Sequence, residues 1–245
     1  MKMPESRKYP QSGRERMILT APVGRIGIGM EDPEPEMLRR LNPKTVFMMG
    51  DNPALPAMPE KPQLLDFFRC RFNDITVRHL LTSAERALAH GLDEKIVLAV
   101  LLHDLSNGCL IRADHGYWGA QMIAPYVSEE VAFAVRYHQC LRYFPDEAAG
   151  YSYPESYDRF FGEDYIPPDY IRADAEFARQ HKWYGLAREV TKYDIYFFDD
   201  LPPVQPELFE DLIGRHFRQP AEGLGFDGSE TAHMWRTMIW PNNFL

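Results

Sequence analysis

Cysteine is scarce in this chain. Cys70, Cys109 and Cys140 are the only three in 245 residues, an odd number, widely separated and without a Cys-x-x-Cys pair. A disulfide framework is therefore not expected, and a reducing cytoplasm suits the chain best. Long apolar runs are also missing. Nothing approaches the roughly 20 residues that a membrane helix needs, and the basic opening segment has no apolar stretch behind it to make a signal peptide. Positive charge is in deficit, with 27 Lys and Arg against 36 Asp and Glu and a net charge of −9. A nucleic-acid partner would ask for a basic face, so none is expected, and no membrane partner either. What the chain does have is a 45% hydrophobic share, enough to build a core. There is no internal repeat and no low-complexity tract.

Two regions differ in texture. Residues 1–62 are dense in Pro, Gly and Met, with short β-like runs at 17–20, 26–30 and 45–49 between turn signals. Gly24, Gly27 and Gly29 do not fit Gly-x-Gly-x-x-Gly and lack a strand–turn–helix setting, so no phosphate loop is expected. This part reads as an irregular, partly β extension, packed on the body or on a second subunit of a homo-oligomer.

Residues 63–245 read as a mainly α body. Ile75, Val77, Leu80, Leu81, Ala84 and Leu88 form an apolar stripe that Gly91 terminates. Asp93 is a good N-cap for a second helix, apolar nearly all round, running through Leu101 and Leu105 to Gly108. A third helix carries His115, Gly119, Met122 and Ile123. Ser128, Glu129 and Glu130 open a fourth, whose inner face is Val131, Val135 and His138. Residues 144–168 make a long aromatic loop, a candidate lid. Helices follow at about 168–182, at a segment ending near 193–198, and at about 206–217 and 229–238.

One segment resists explanation as packing. Leu101-Leu102-His103-Asp104-Leu105 places two ionisable groups inside the most apolar helix, where charge is costly unless paired or bound to metal. His79 lies on the preceding helix and Asp194 on a late one. His115 and His138 each sit near the inner face of their own helix. Imidazole and carboxylate suit iron, manganese or zinc. His90, His181, His216 and His233 have no partner by spacing and read as solvated or locally hydrogen-bonded. Cys109 and Cys140 read as small core groups.

The order His79, His103-Asp104, Asp194 resembles the HD-domain superfamily, implying an HD-domain helical bundle. The string His115-Gly-Tyr-Trp-Gly-Ala-Gln-Met followed by Val135-Arg-Tyr-His138 looks like the mixed-valent diiron HD oxygenases that degrade organophosphonates. The run Lys192-Tyr-Asp194-Ile-Tyr-Phe-Phe-Asp-Asp-Leu-Pro-Pro-Val looks like the matching segment of myo-inositol oxygenase. The likeness covers roughly residues 65–217. It implies two iron ions, Fe(II)/Fe(III), with manganese or zinc as alternatives. Asp104 would bridge them, His79, His103 and Asp194 would complete one shell, and His115 and His138 would bind the second ion.

The chain departs from that family in two places. A basic residue usual three positions after the bridging Asp is Asn107 here, and a Lys-Arg pair after the second late His is reduced to Arg142-Tyr143. Arg142 stands one turn beyond His138 and could grip a carboxylate or phosphate, or form a surface salt bridge. Asp104, Asn107 and Arg142 are the candidate catalytic positions. The resemblance implies an oxygenase that uses dioxygen on a small hydroxylated or anionic substrate. A metal-dependent phosphohydrolase is the alternative, although only Arg78, Arg112, Arg136 and Arg142 lie near the ligands. A non-catalytic metal or ligand sensor is the third reading.

Overall fold

A computed structural model describes residues 55–154, 157, 162, 165–194 and 202–240. The β-like runs expected before residue 50, part of the 144–168 loop and residues 195–201 lie outside the described residues. Within them the chain is mainly α, and the only extended pairing is an isolated bridge between Asp146 and Tyr151. No described helix is long and apolar enough to cross a membrane.

The body begins with α1, Leu64–Cys70, and α2, Asp74–Ala89. Asn73 caps α2, its side-chain oxygen accepting from the Thr76 amide at 2.9 Å, while its amide nitrogen donates to the Gly108 carbonyl at 2.9 Å. Gly91, at φ +72, ends the helix. The inward face of α2 differs from the apolar stripe. Ile75 is 84% and Leu88 38% exposed, whereas Thr76, His79, Leu80, Ser83, Ala84 and Ala87 are buried. Leu80, Leu81 and Ala84 of the stripe do face inward, but the buried face also takes Thr76, His79 and Ser83, so the stripe misses it at its two ends, Ile75 and Leu88.

Asp93 caps α3, Glu94–Leu102, by accepting from Lys95 N at 2.9 Å. Its residues 97–102 are fully buried. The helix does not continue to Gly108 as the periodicity suggests. It breaks at His103 and Asp104, the latter at φ −104, ψ 16, and resumes as α4, Leu105–Cys109. Adjacent residues of an unbroken helix point about 100° apart; the break frees Asp104 to turn its carboxylate toward the same centre as His103.

Two further helices, α5 (His115–Ile123) and α6 (Glu129–Leu141), pack along each other. The contact is close at Gly116, where a Cβ would stand 2.7 Å from the Arg136 carbonyl oxygen and 3.0 Å from that of Val135. Gly116 therefore sets how near His115 comes to His138. Gly116→Ala should lower stability by up to about 2 kcal/mol in urea denaturation, because a backbone clash of about 1–3 kcal/mol is set against the roughly 1 kcal/mol gained from alanine's helix propensity. An unchanged urea midpoint would show that α5 and α6 do not meet there.

The chain then runs through a 3-10 turn at Glu147–Ala149 to α7, Asp169–Gln180, and α8, Tyr184–Tyr193. Asp194 stands just past the end of α8 rather than inside a helix, with ψ 82. Fully buried Arg188 on α8 donates to the carbonyls of Leu141 (3.0 Å) and Phe144 (3.1 Å), satisfying groups at the open end of α6. A 3-10 turn at Pro206–Phe209, then α9, Glu210–His216, and α10, Ala232–Ile239, close the body. Buried Trp235 of α10 donates to the Met122 carbonyl at 3.1 Å and meets the Phe67 ring edge-on at 4.8 Å, tying α1, α5 and α10 together. Residues 55–62 carry no regular structure; Arg71 donates to the Pro56 carbonyl and Leu224 N to that of Pro62, both at 2.8 Å.

Candidate metal centre

The structure brings His79, His103, Asp104, His115, His138 and Asp194 to one place. They come from α2, the α3–α4 break, the start of α5, the last turn of α6 and the end of α8, and none is more than 7% exposed. Two groups form, each with its donor atoms within 4.8 Å of one another. The first is His79, His103, Asp104 and Asp194; the second is Asp104, His115 and His138.

Asp104 belongs to both. Its Oδ1 lies 3.0 Å from His115 Nε2, 3.5 Å from His138 Nε2 and 3.8 Å from His103 Nε2, and its Oδ2 lies 3.6 Å from His79 Nε2. On the other flank Asp194 Oδ1 is 3.3 Å from His79 Nε2 and 3.5 Å from His103 Nε2, and those two nitrogens are 2.9 Å apart.

The far sides of three rings decide what the near sides can do. His103 Nδ1 pairs with the Val100 carbonyl at 2.7 Å, His115 Nδ1 with that of Arg112 at 3.1 Å, and His138 Nδ1 with that of Val135 at 2.6 Å. A carbonyl only accepts, so each Nδ1 carries a proton, which leaves Nε2 as the nitrogen that faces inward and can offer a lone pair to a cation. Backbone carbonyls hold the rings of metal-binding histidines in this way. His115 Nε2, His138 Nε2, Asp104 Oδ1 and both Asp194 oxygens are buried without a hydrogen-bond partner. An orphaned buried polar atom costs about 1–3 kcal/mol, so five converging on one spot call for a cation. The buried His/Asp cluster could hold a metal ion, and its donor set suits one.

The charges of the cluster point the same way. Burial works against the carboxylates of Asp104 and Asp194, yet the surrounding imidazoles hold both below the usual carboxylate range. Burial pulls His103 down, but Asp104 and Asp194 overcome it and raise it to about 9. Burial lowers His138 to about 4, with His103 and His115 opposing its protonation too. Anionic carboxylates are thus kept beside a histidine that stays neutral.

Of the other expected positions, Asn107 reaches the cluster, its amide nitrogen donating to Asp104 Oδ2 at 3.2 Å. Arg142 is 9% exposed, so it is no surface salt bridge. Its guanidinium sits over Tyr143 at 5.1 Å and Tyr157 at 5.6 Å and donates to the Tyr143 hydroxyl at 3.2 Å. Arg78 and Arg112 are exposed, and Arg136 lies over the rings of Tyr117 and Tyr137. His90 meets the Tyr193 hydroxyl at 2.7 Å, His216 meets Glu94 at 2.7 Å, and His181 stacks on Phe133. The cysteines are free, and the thiols of Cys109 and Cys140 donate to backbone carbonyls.

The sequence does not single out Tyr151 and Tyr157. Both are buried, and the Tyr151 hydroxyl donates to the Arg142 carbonyl at 2.8 Å. Burial first, then the Asp194 charge, pushes both phenols well above their usual range, so both stay protonated. Their only signal in the sequence is the aromatic density of the 144–168 loop. No protein-family model matches the chain, and no curated protein does either.

Proposed function

We propose that the chain is a two-metal enzyme of the HD type, and that it is an oxygenase working on a small hydroxylated or anionic substrate. One observation carries the two-metal reading: a single carboxylate, Asp104, lies within 3.8 Å of inward nitrogens on all four histidines. His79, His103 and Asp194 would hold one ion, His115 and His138 the other, and Asp104 both. Bound iron would supply the redox chemistry that dioxygen activation requires.

The protein's own part is positioning and charge. Asn107 orients the shared carboxylate through its amide. The second group offers three protein donors where the first offers four, leaving room for a substrate oxygen beside His115 and His138. Arg142, buried with the rings of Tyr143 and Tyr157 against it, brings a positive charge that favours an anionic group on the substrate. Tyr151 and Tyr157 close that side with rings rather than water. Phosphate-ester hydrolysis would draw on the same donors but wants more positive charge close by. Among the described residues, three of the four arginines near the ligands in sequence are turned outward or stacked away.

Purification without oxygen in the presence of Fe(II), followed by metal counting and low-temperature EPR, tests the reading. The expected result is two irons per chain and, after partial oxidation, the signal of a coupled Fe(II)/Fe(III) pair, with oxygen uptake on polar substrates. One ion per chain, or rapid phosphodiester turnover with two zincs, would overturn it. His115→Ala should retain one ion and lose the other, because it removes one of only three donors from its group. A His115→Ala protein with two ions would refute that assignment.

A further inference from the structure

A cavity lies outside the candidate metal centre. Between α5, α6 and α7 is an open cavity of about 250 Å³, lined by Asp114, Tyr117, Trp118, Arg136, Gln139, Cys140, Tyr170, Ile171 and Asp174. None of the six cluster residues lines it. The volume is room for roughly eight water-sized groups, the scale of a small metabolite.

The walls carry opposite charges that do not neutralise each other. Arg136 has no carboxylate within ion-pair distance among the described residues, and its Nε is buried without a hydrogen-bond partner. Its guanidinium is instead braced over the rings of Tyr117 at 4.8 Å and Tyr137 at 5.2 Å. Asp174, half-buried on α7, likewise has no ion-pair partner among the described residues. The second carboxylate, Asp114, is engaged: its Oδ1 accepts from the Tyr170 hydroxyl at 2.9 Å, which fastens the start of α7 to the start of α5. Asp114 makes that link from the left-handed region, φ 51, the only non-glycine described residue there. Strain of that kind costs of order 1 kcal/mol or more and persists where the surroundings demand it. Trp118, Tyr117 and Ile171 supply apolar wall between the charges.

A braced cation and an anion lining one small cavity, with aromatic surface between them, complement a molecule with the same features reversed. We infer that this groove binds a small free amino acid, Arg136 taking its carboxylate and Asp174 its ammonium. Guanidinium meets carboxylate through two parallel hydrogen bonds, and the ring faces of Trp118 and Tyr117 pack the side chain. A purely anionic ligand would leave Asp174 facing like charge, and a purely cationic one would do the same to Arg136. The inference is independent of the metal reading, since either site can exist without the other.

Isothermal calorimetry on the full chain, with L-alanine, L-leucine and L-phenylalanine as probes, tests it. At least one should bind in the millimolar range or tighter. For leucine, the analogues that lack one charge, 4-methylpentanoate and 3-methylbutylamine, should bind at least tenfold more weakly. Arg136→Gln and Asp174→Asn sit at half-exposed positions and should fold with unchanged circular dichroism and metal content, yet each should lower affinity at least tenfold. If none of the three amino acids binds, if the single-charge analogues bind equally well, or if both variants bind like the parent, the inference is wrong.

Discussion

Asp104→Asn is expected to strip the chain of both proposed metal ions, whereas Asp194→Asn should cost only one. Asparagine keeps the shape of the side chain and its place in the break between α3 and α4, but not the charge. Asp104 is the one donor common to both groups, and its two oxygens face all four histidines. Loss of a residue that merely orients a ligand costs about 10–100-fold in metal affinity; loss of a shared anionic ligand should exceed that for each ion. Asp194 reaches only His79 and His103, so its loss should spare the ion at His115 and His138. Stability should follow stoichiometry. An ion present at 100 times its dissociation constant stabilises by about 2.7 kcal/mol, and each kcal/mol moves the melting temperature of a chain this size by about 2–4 °C. Asp104→Asn, or full chelation of the parent, should therefore lower the melting temperature by roughly 10–20 °C, and Asp194→Asn by about half as much. Metal counting beside thermal melts separates the outcomes. Two ions retained in Asp104→Asn would show that the carboxylate does not join the sites.

Much of this site is legible without the fold, and the reason is energetic. An ionisable pair inside Leu101-Leu102-His103-Asp104-Leu105 has no inexpensive explanation as packing, so it stands out against its apolar setting. His79, His115 and His138 lie on the inner sides of their helices, while His103 and Asp104 reach the same centre from the break between α3 and α4 and Asp194 from just past the end of α8. The helix expected to carry His115, Gly119, Met122 and Ile123, and the one expected to open at Ser128 with Val131, Val135 and His138 inward, both form, over His115–Ile123 and Glu129–Leu141. The misreadings share a cause. On α2 the inner face carries Thr76, His79 and Ser83, so counting apolar residues favours Ile75 and Leu88, which point to solvent. An uninterrupted helix through Asp104 is the natural expectation because propensity is blind to a ligand geometry that needs two neighbours turned one way. Tyr151 and Tyr157 are illegible for a third reason. They reach the site from a loop, where no period marks an inner face.

The pH response of the metal-free chain should be bell-shaped, and metal should remove one side of the bell. His103 is raised from about 6.5 to about 9, so the folded state holds a proton there that the unfolded chain has lost between those values. That contribution is fully present below pH 6.5 and disappears as pH rises through 9. His138, lowered to about 4, acts oppositely: between pH 6.5 and 4 the unfolded chain takes up a proton that the folded one refuses, so stability falls with acid. Asp104 and Asp194, both depressed, add to that acid loss at still lower pH. Stability of the stripped protein should therefore peak near pH 6.5 and decline by a few kcal/mol on each side, since a tenfold change in proton affinity is worth about 1.4 kcal/mol. A bound ion needs His103 neutral. Loading metal at pH 7.5 must then expel that proton, about one per chain, and the alkaline decline should vanish because the histidine no longer changes state. Urea denaturation at pH 6.5, 7.5 and 9, with and without chelator, reads the first effect; calorimetric loading in buffers of different ionisation enthalpy counts the proton. Parallel stability profiles for loaded and stripped protein, or loading without proton release, would mean that His103 does not coordinate the ion.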